Sequence, residues 1–220
     1  MTASKRASPI VSRETPLDAA GFAVLTGADA HTLERLQLSL DLLIRWQKHI
    51  NLVGSATLED PWRRHVLDSG QLLPLLPSPP VRIADLGSGA GFPGLVLAIM
   101  GGVPIDLIES DARKCAFLRE AARLTAAPVQ IRCARIESLT GANYDVAVAR
   151  ALAPLPQLLG HAANCLSPQG VCLFLKGRRA AAELTDAGKL WKMRTIIIPS
   201  RSDPEGVILK IEELAPRHDL

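Results

Sequence analysis

A strand-like run from Arg82 to Asp85 breaks into glycines at 87, 89, 91 and 94. Glycines placed there let the backbone turn sharply after a strand and approach a bound molecule with no side chain between them. Pro93 has the fixed φ suited to the first turn of a helix, so the free N–H groups of that helix face the same cavity. The segment from Asp85 fits the Asp-x-Gly-x-Gly-x-Gly pattern of methyltransferases that use S-adenosylmethionine. Read from Gly89, it fits the Gly-x-Gly-x-x-Gly dinucleotide fingerprint equally well. Both chemistries need an acid at the end of the next strand, about 20 residues on, to take hydrogen bonds from ribose hydroxyls. Glu109, which closes Ile105-Asp-Leu-Ile-Glu109, is that acid.

Other groups fall at neighbouring strand ends. Ile136 and Glu137 stand where an apolar contact and an acceptor would meet an adenine ring and its amino group. Arg150 ends a further strand and is set beside the reacting centre. The Arg150-Ala-Leu-Ala-Pro154 segment lacks the Asn or Asp with paired prolines and an aromatic used on adenine N6, and offers no cysteine nucleophile for pyrimidine C5. An acceptor needing no covalent help, such as guanine N7, fits, because its lone pair attacks without first losing a proton and alignment and desolvation do the catalysis. His65 and Asp68 have the i, i+3 spacing of a helix-face pair, in which Asp68 orients His65 or caps the turn. Arg63, Arg64, Lys176, Arg178 and Arg179 form a basic rim that would hold phosphates. Trp46, Trp62 and Trp191 read as packing anchors first, with base stacking as the alternative.

These groups must be held by an α/β frame. Residues 1–28 read as a flexible tail, and residues 29–80 as a helical extension. Asp29 caps a helix carrying Leu33, Leu36, Leu40 and Leu43, and a second helix starts at Pro61. Residues 81–220 form the methyltransferase-type domain. Strands are expected at Val81 to Asp85, Ile105 to Glu109, Val129 to Cys133, Asp145 to Ala149 and Val171 to Lys176, each followed by a helix, which argues for a doubly wound parallel sheet. Beyond Lys176 there is room only for a helix, Ala180 to Leu190, and two strands, Thr195 to Pro199 and Gly206 to Glu212, joined by a turn-rich linker. That short tail favours a seven-stranded sheet closed by a reversed hairpin over a two-half dinucleotide fold.

Composition narrows the classes further. A net charge of +3 permits a nucleic-acid partner without requiring one. No apolar run reaches the length of a membrane span. Cys115, Cys133, Cys165 and Cys172 are unevenly spaced, with no Cys-x-x-Cys pair, and the histidines have no metal-ligand spacing. The expectation is a cytoplasmic, metal-free monomer with reduced cysteines.

The chain resembles the small-subunit ribosomal RNA guanine-N7 methyltransferases long called the glucose-inhibited division protein B family. The resemblance rests on Asn51-Leu52, Arg64-His-Val-Leu-Asp68-Ser69, Asp85 to Gly94 with its Gly-Phe-Pro-Gly ending, Lys114 to Arg119, Arg135-Ile-Glu137, Arg150 to Leu155 and Leu175-Lys-Gly177. It departs locally at Trp46-Gln47 and Val53-Gly54 and is weak beyond Gly177. It implies S-adenosylmethionine as cofactor, contacted by Gly87, Phe92, Ile136, Glu137 and Arg150, to which the motif reading adds Gly89 and Glu109. It also implies 16S ribosomal RNA or the small subunit as partner, with a guanine near the decoding site as acceptor. A small-molecule acceptor, or a nucleotide-binding dehydrogenase-like module, is the alternative.

Overall fold

The computed structural model describes residues 15–78 and 81–217. Its centre is a seven-stranded sheet of β1 (Ile83–Leu86), β2 (Ile105–Glu109), β3 (Val129–Cys133), β4 (Tyr144–Arg150), β5 (Leu166–Lys176), β6 (Trp191–Pro199) and β7 (Val207–Pro216). The spatial order is β3-β2-β1-β4-β5-β7-β6. The first five strands are parallel, and β7 runs antiparallel to both β5 and β6. The chain winds outward from β1 to β3 and returns to lay β4 against β1. This makes a crevice at the carboxyl ends of those two strands, where open α/β sheets bind ligands.

Alternation along the strands decides which side chains reach which face. Ile83, Leu107, Val146, Val148, Leu173 and Leu175 join one buried cluster; Ala84, Leu86, Ile108, Ala147, Ala149 and Phe174 join the other. The period of two carries Asp85 and Arg150 to the first face, the one covered by α4 (Gly94–Gly101), α5 (Ala112–Thr125) and the N-terminal helices. The second face is covered by α6 (Leu155–Cys165) and α7 (Ala180–Leu190).

The N-terminal region holds the first correction. Residues 19–26, expected within a tail, form helix α1 (Ala19–Thr26). The Asp18 side chain accepts from the Gly21 N–H, and Gly27 ends the helix at φ 75°. Phe22 is fully buried against Trp62, with ring centroids 5.3 Å apart. Burying such a ring is worth about 1.5–3 kcal/mol, enough to hold a two-turn helix in place. The part of the tail before residue 15 lies outside the described residues. Helix α2 (Ala30–Gln47) is capped by Asp29, as its sequence requires. The helix expected from Pro61 is a π-helical turn, Trp62–Leu67, continued by the α turn α3 (Asp68–Gly70) and a 3-10 turn at Leu73–Leu75. Leu36, Leu43, Val66 and Leu72 share one apolar cluster with the sheet, so the extension is built into the core.

Candidate cofactor and acceptor cleft

The crevice opens into a cleft of about 1010 Å³ between the glycine loop, the carboxyl ends of β2, β4 and β5, and the N-terminal extension. Gly87 takes φ +68°, a conformation L side chains rarely adopt, and a Cβ there would stand 2.4 Å from Leu152 Cδ1. Gly94 serves a different purpose. Its N–H donates to Asp85 Oδ2 at 2.9 Å, and an added Cβ would lie 2.5 Å from Leu107 Cδ2 and 2.7 Å from Asp85 Cβ. Gly94 thus lets α4 start directly on the sheet. Asp85 is fully buried, and its Oδ1 has no hydrogen-bond partner among the described residues. Burial pushes its carboxyl up to about 7, against the opposing pull of the Gly94 N–H and the Ser88 hydroxyl.

Glu109 sits where the sequence places it and already ties two loops together. Oε2 accepts from the Gly89 N–H at 2.9 Å, and Oε1 accepts from the Asp111 N–H at 2.8 Å. A carboxylate oxygen has two acceptor sites, so both keep room for ribose hydroxyls. Replacing Glu109 by Ala is expected to weaken binding of S-adenosylhomocysteine by about 1–3 kcal/mol. Calorimetry on the variant checks this, and parental affinity would remove Glu109 from the cofactor site. Ile136 and Glu137 fall in a 3-10 turn, Ile136–Leu139, directly after β3, and both line the cleft.

Arg150, His65 and Phe92 come together as one unit. The Arg150 guanidinium lies 4.9 Å above the Phe92 ring, and the His65 ring stacks on Phe92 at 4.7 Å with planes 16° apart. Arg150 Nη1 donates to the Arg64 carbonyl at 2.8 Å and to Asp68 Oδ2 at 3.3 Å. Arg150 Nη2 is 2.9 Å from His65 Nδ1, and His65 Nε2 is 2.8 Å from Thr57 Oγ1. An arginine is only a donor, so Nδ1 accepts and the proton of a neutral imidazole sits on Nε2, facing Thr57. The Thr57 hydroxyl passes its own proton to the Gly54 carbonyl at 2.6 Å. Burial, then the charges of Arg150 and Arg64, lower His65 to about 3, which keeps it neutral. Asp68, expected either to orient His65 or to cap the turn, pairs with Arg150. The wide π turn gives Asp68 to the guanidinium and turns His65 onto Phe92.

The basic rim is smaller than expected. Arg63 is 7% exposed, with Nε 2.7 Å from Asp60 Oδ2 and Nη2 donating to the Thr15 carbonyl. Adjacent residues on a helical turn point in different directions, so Arg64 reaches the cleft and Arg63 braces the chain behind it. Lys176 lines the cleft but is held by Glu183 Oε2 at 2.8 Å and the Ala153 carbonyl at 2.7 Å. Glu183 Oε2 also accepts from the Leu155 N–H at 2.8 Å, so this partly buried lysine fastens β5 to α6 and α7, with two of its three ammonium hydrogens taken up inside the fold. Arg178 is exposed one residue beyond Gly177, which lines the cleft. The tryptophans are packing anchors. Trp62 meets Phe22, Trp46 meets Phe117 at 5.8 Å, and Trp191 donates to the Pro156 carbonyl.

Several lining groups escaped the sequence reading. Thr57 comes from the loop after α2, Lys114 from α5, and Ser200, Ser202 and Asp203 from the β6–β7 loop. Only Lys114 lay within a recognisable motif. The others reach the cleft through folding of distant segments.

The residues present suit S-adenosylmethionine. Gly87 lines the cleft with bare backbone packed against Leu152, Glu109 offers carboxylate oxygens, and Ile136 offers an apolar contact.

Known proteins agree with this reading. The sheet is similar to that of a TehB-like S-adenosylmethionine-dependent methyltransferase from Corynebacterium glutamicum, with a TM-score of 0.54 at 15% identity over 80% of this chain and 98% of that one. A mutant MtNAS solved with S-adenosylmethionine gives 0.55 at 13% identity over 89% and 83%. In sequence, the chain is 53% identical over 190 residues to ribosomal RNA small subunit methyltransferase G of Paramagnetospirillum magneticum, covering 86% of this chain and 93% of that protein. It is 51% identical over 199 residues to the same-named protein of Rhodospirillum centenum, covering 90% and 92%. The model of the GidB family, described as rRNA small subunit methyltransferase G, matches residues 32–201. With the glycine wall, the strand-end acid and these relatives together, the chain belongs to the GidB family of small-subunit ribosomal RNA methyltransferases.

Proposed function

We propose that this methyltransferase places its methyl group on N7 of a guanine in 16S ribosomal RNA near the decoding site. Bound S-adenosylmethionine supplies a methyl on a sulfonium, electrophilic enough for a ring nitrogen with a free lone pair. The observation that carries the reading is the state of His65. It is neutral, and both ring nitrogens are hydrogen-bonded within the fold, so it is placed as a support for Arg150 and not as a proton acceptor. N7 asks for no base, whereas an exocyclic amine must lose a proton.

Arg150 supports the same choice. Its contacts use both Nη1 hydrogens and one on Nη2, so the second Nη2–H and the Nε–H have no further contact among the described residues. Guanine carries O6 beside N7, a pair of acceptors that arginine matches. Arg64 and Arg135 are exposed cations that line the opening, with Arg178 exposed one residue beyond it, and they are the candidates for phosphate contacts; Arg64 is shared with Asp203 at 3.1 Å.

Primer extension after borohydride and aniline treatment tests the site. RNA from a strain lacking this chain should lose cleavage at one guanine; unchanged cleavage, or methylation of metabolites while RNA is ignored, overturns the reading. The rate profile provides a second check. Turnover is expected to show no inflection near 6.5 between pH 6 and 8, because His65 stays neutral throughout. A loss of rate on the acid side with that midpoint would make His65 a proton acceptor.

The enzyme acts as a monomer in the cytoplasm, where ribosomal RNA is made. No helix of the described residues is long and apolar enough to cross a membrane, and no group of three or more His, Cys, Asp or Glu that could hold a metal occurs among them.

A further inference from the structure

The geometry points to Ser202, on the β6–β7 loop, as the residue that positions Asp68 and through it Arg150. The assignment rests on the methyl-transfer reading above. It concerns a residue beyond the matched family region, which ends at 201.

The two oxygens of Asp68 have divided tasks. Oδ2 takes Arg150 Nη1 at 3.3 Å. Oδ1 faces the other way and accepts the Ser202 hydroxyl in a short hydrogen bond, with Gln71 Nε2 at 3.2 Å. Ser202 has a single hydroxyl proton, and it goes to Asp68. In the 2.9 Å contact between Ser200 and Ser202, Ser200 is therefore the donor. Ser200 Oγ in turn accepts from Gln71 Nε2 at 3.1 Å and from the Ser202 N–H at 3.2 Å. Gln71 Oε1 accepts from the Arg201 N–H at 2.8 Å. Ser200, Ser202 and Gln71 are all buried, so water cannot replace a lost member freely.

Without Ser202, Asp68 retains only the longer Gln71 contact on its inner oxygen and is free to rotate. The guanidinium then loses its fixed direction over Phe92, and misplacement of about an ångström at a reacting centre is costly in rate. The network makes no hydrogen bond to Gly87 or Glu109, so the glycine loop and the strand-end acid of the cofactor site stay in place without it.

The test is Ser202→Ala, assayed on small-subunit RNA with methyl-tritiated cofactor, alongside Ser202→Thr and Asp68→Asn. Ser202→Ala is expected to lower kcat on the order of tenfold, leaving affinity for S-adenosylhomocysteine and Tm near the parent values. Ser202→Thr, which keeps the hydroxyl, restores most of the turnover. In the Asp68→Asn background, Ser202→Ala adds less than about twofold, since both act on the same link. If Ser202→Ala does not fold, Ser202→Cys carries the same expectation at similar volume. Parental kcat, or a fall in step with affinity and Tm, overturns the assignment. An effect that simply multiplies with that of Asp68→Asn does so too. A parent chain that labels no ribosomal RNA while binding the cofactor overturns the methyl-transfer reading, and the assignment with it.

Discussion

Arg150→Ala is expected to lower kcat by about 100- to 1000-fold, the scale seen when a fixed donor at a reacting centre is removed. The wild-type guanidinium is held at four points: the Arg64 carbonyl, Asp68, His65 Nδ1 and the Phe92 face. Its removal leaves Asp68 without a cation and His65 without a donor on Nδ1, in a pocket where both side chains of the ion pair are under one-fifth exposed. Asp68 keeps its Ser202 and Gln71 contacts, so the variant should fold, and affinity for S-adenosylhomocysteine, to which the family resemblance also ties Arg150, is measured alongside. Arg150→Lys keeps the charge but cannot span two acceptors with a planar fork, and is expected to recover only a minor part of the rate. Single-turnover kinetics at saturating cofactor measure the effect. Turnover within about fivefold of the parent would show that Arg150 is not aligned with the acceptor, and an unfolded variant would make it structural.

Gly94→Ala should produce the largest loss of stability from the smallest change. One methyl would have to share space with Leu107 Cδ2 at 2.5 Å and with Asp85 Cβ and Oδ2 at 2.7 Å. These neighbours belong to strands paired on both sides, so backbone relief must shift α4 off the sheet. Overpacking of this kind costs about 1–3 kcal/mol. The shift also stretches the Gly94 N–H bond to Asp85, the only hydrogen bond to that carboxylate from α4. Denaturant unfolding gives the stability change, and cofactor affinity should fall with it because the glycine loop is anchored at this point. An unchanged midpoint would show that α4 can move freely.

Local periodicity carried much of the fold. The bounds of β2, β3 and α7 follow from runs whose alternation and flanks have one reading. Helix α1 escaped because it is only two turns long, although Asp18 and Gly27 at its ends are legible capping signals. Glu109 was legible because a strand end fixes its position. Which way Arg150 faces could also be had from the strand, since 146, 148 and 150 share a side with 83 and 85. Its partners could not, because Asp68 and His65 reach it from a far segment, and Ser202 reaches Asp68 from another. The basic rim misled for the same reason: charge is visible in sequence, but the Asp60 and Glu183 that neutralise Arg63 and Lys176 are set by packing. The Arg63 pair at i, i+3 is legible in hindsight; the Lys176 pair needs the fold.

The meeting of the β6–β7 loop with the N-terminal extension has a consequence for how the enzyme comes to life during synthesis. Ser202 and Asp68 are 134 positions apart, and Asp203 and Arg64 are 139 apart. A chain emerging amino end first completes the glycine wall and Glu109 well before the last hairpin exists. Until that hairpin is made, Asp68 lacks its Ser202 partner and Arg64 its Asp203 partner. Competence for transfer is thus a property of the finished polypeptide, acquired in its last step of assembly.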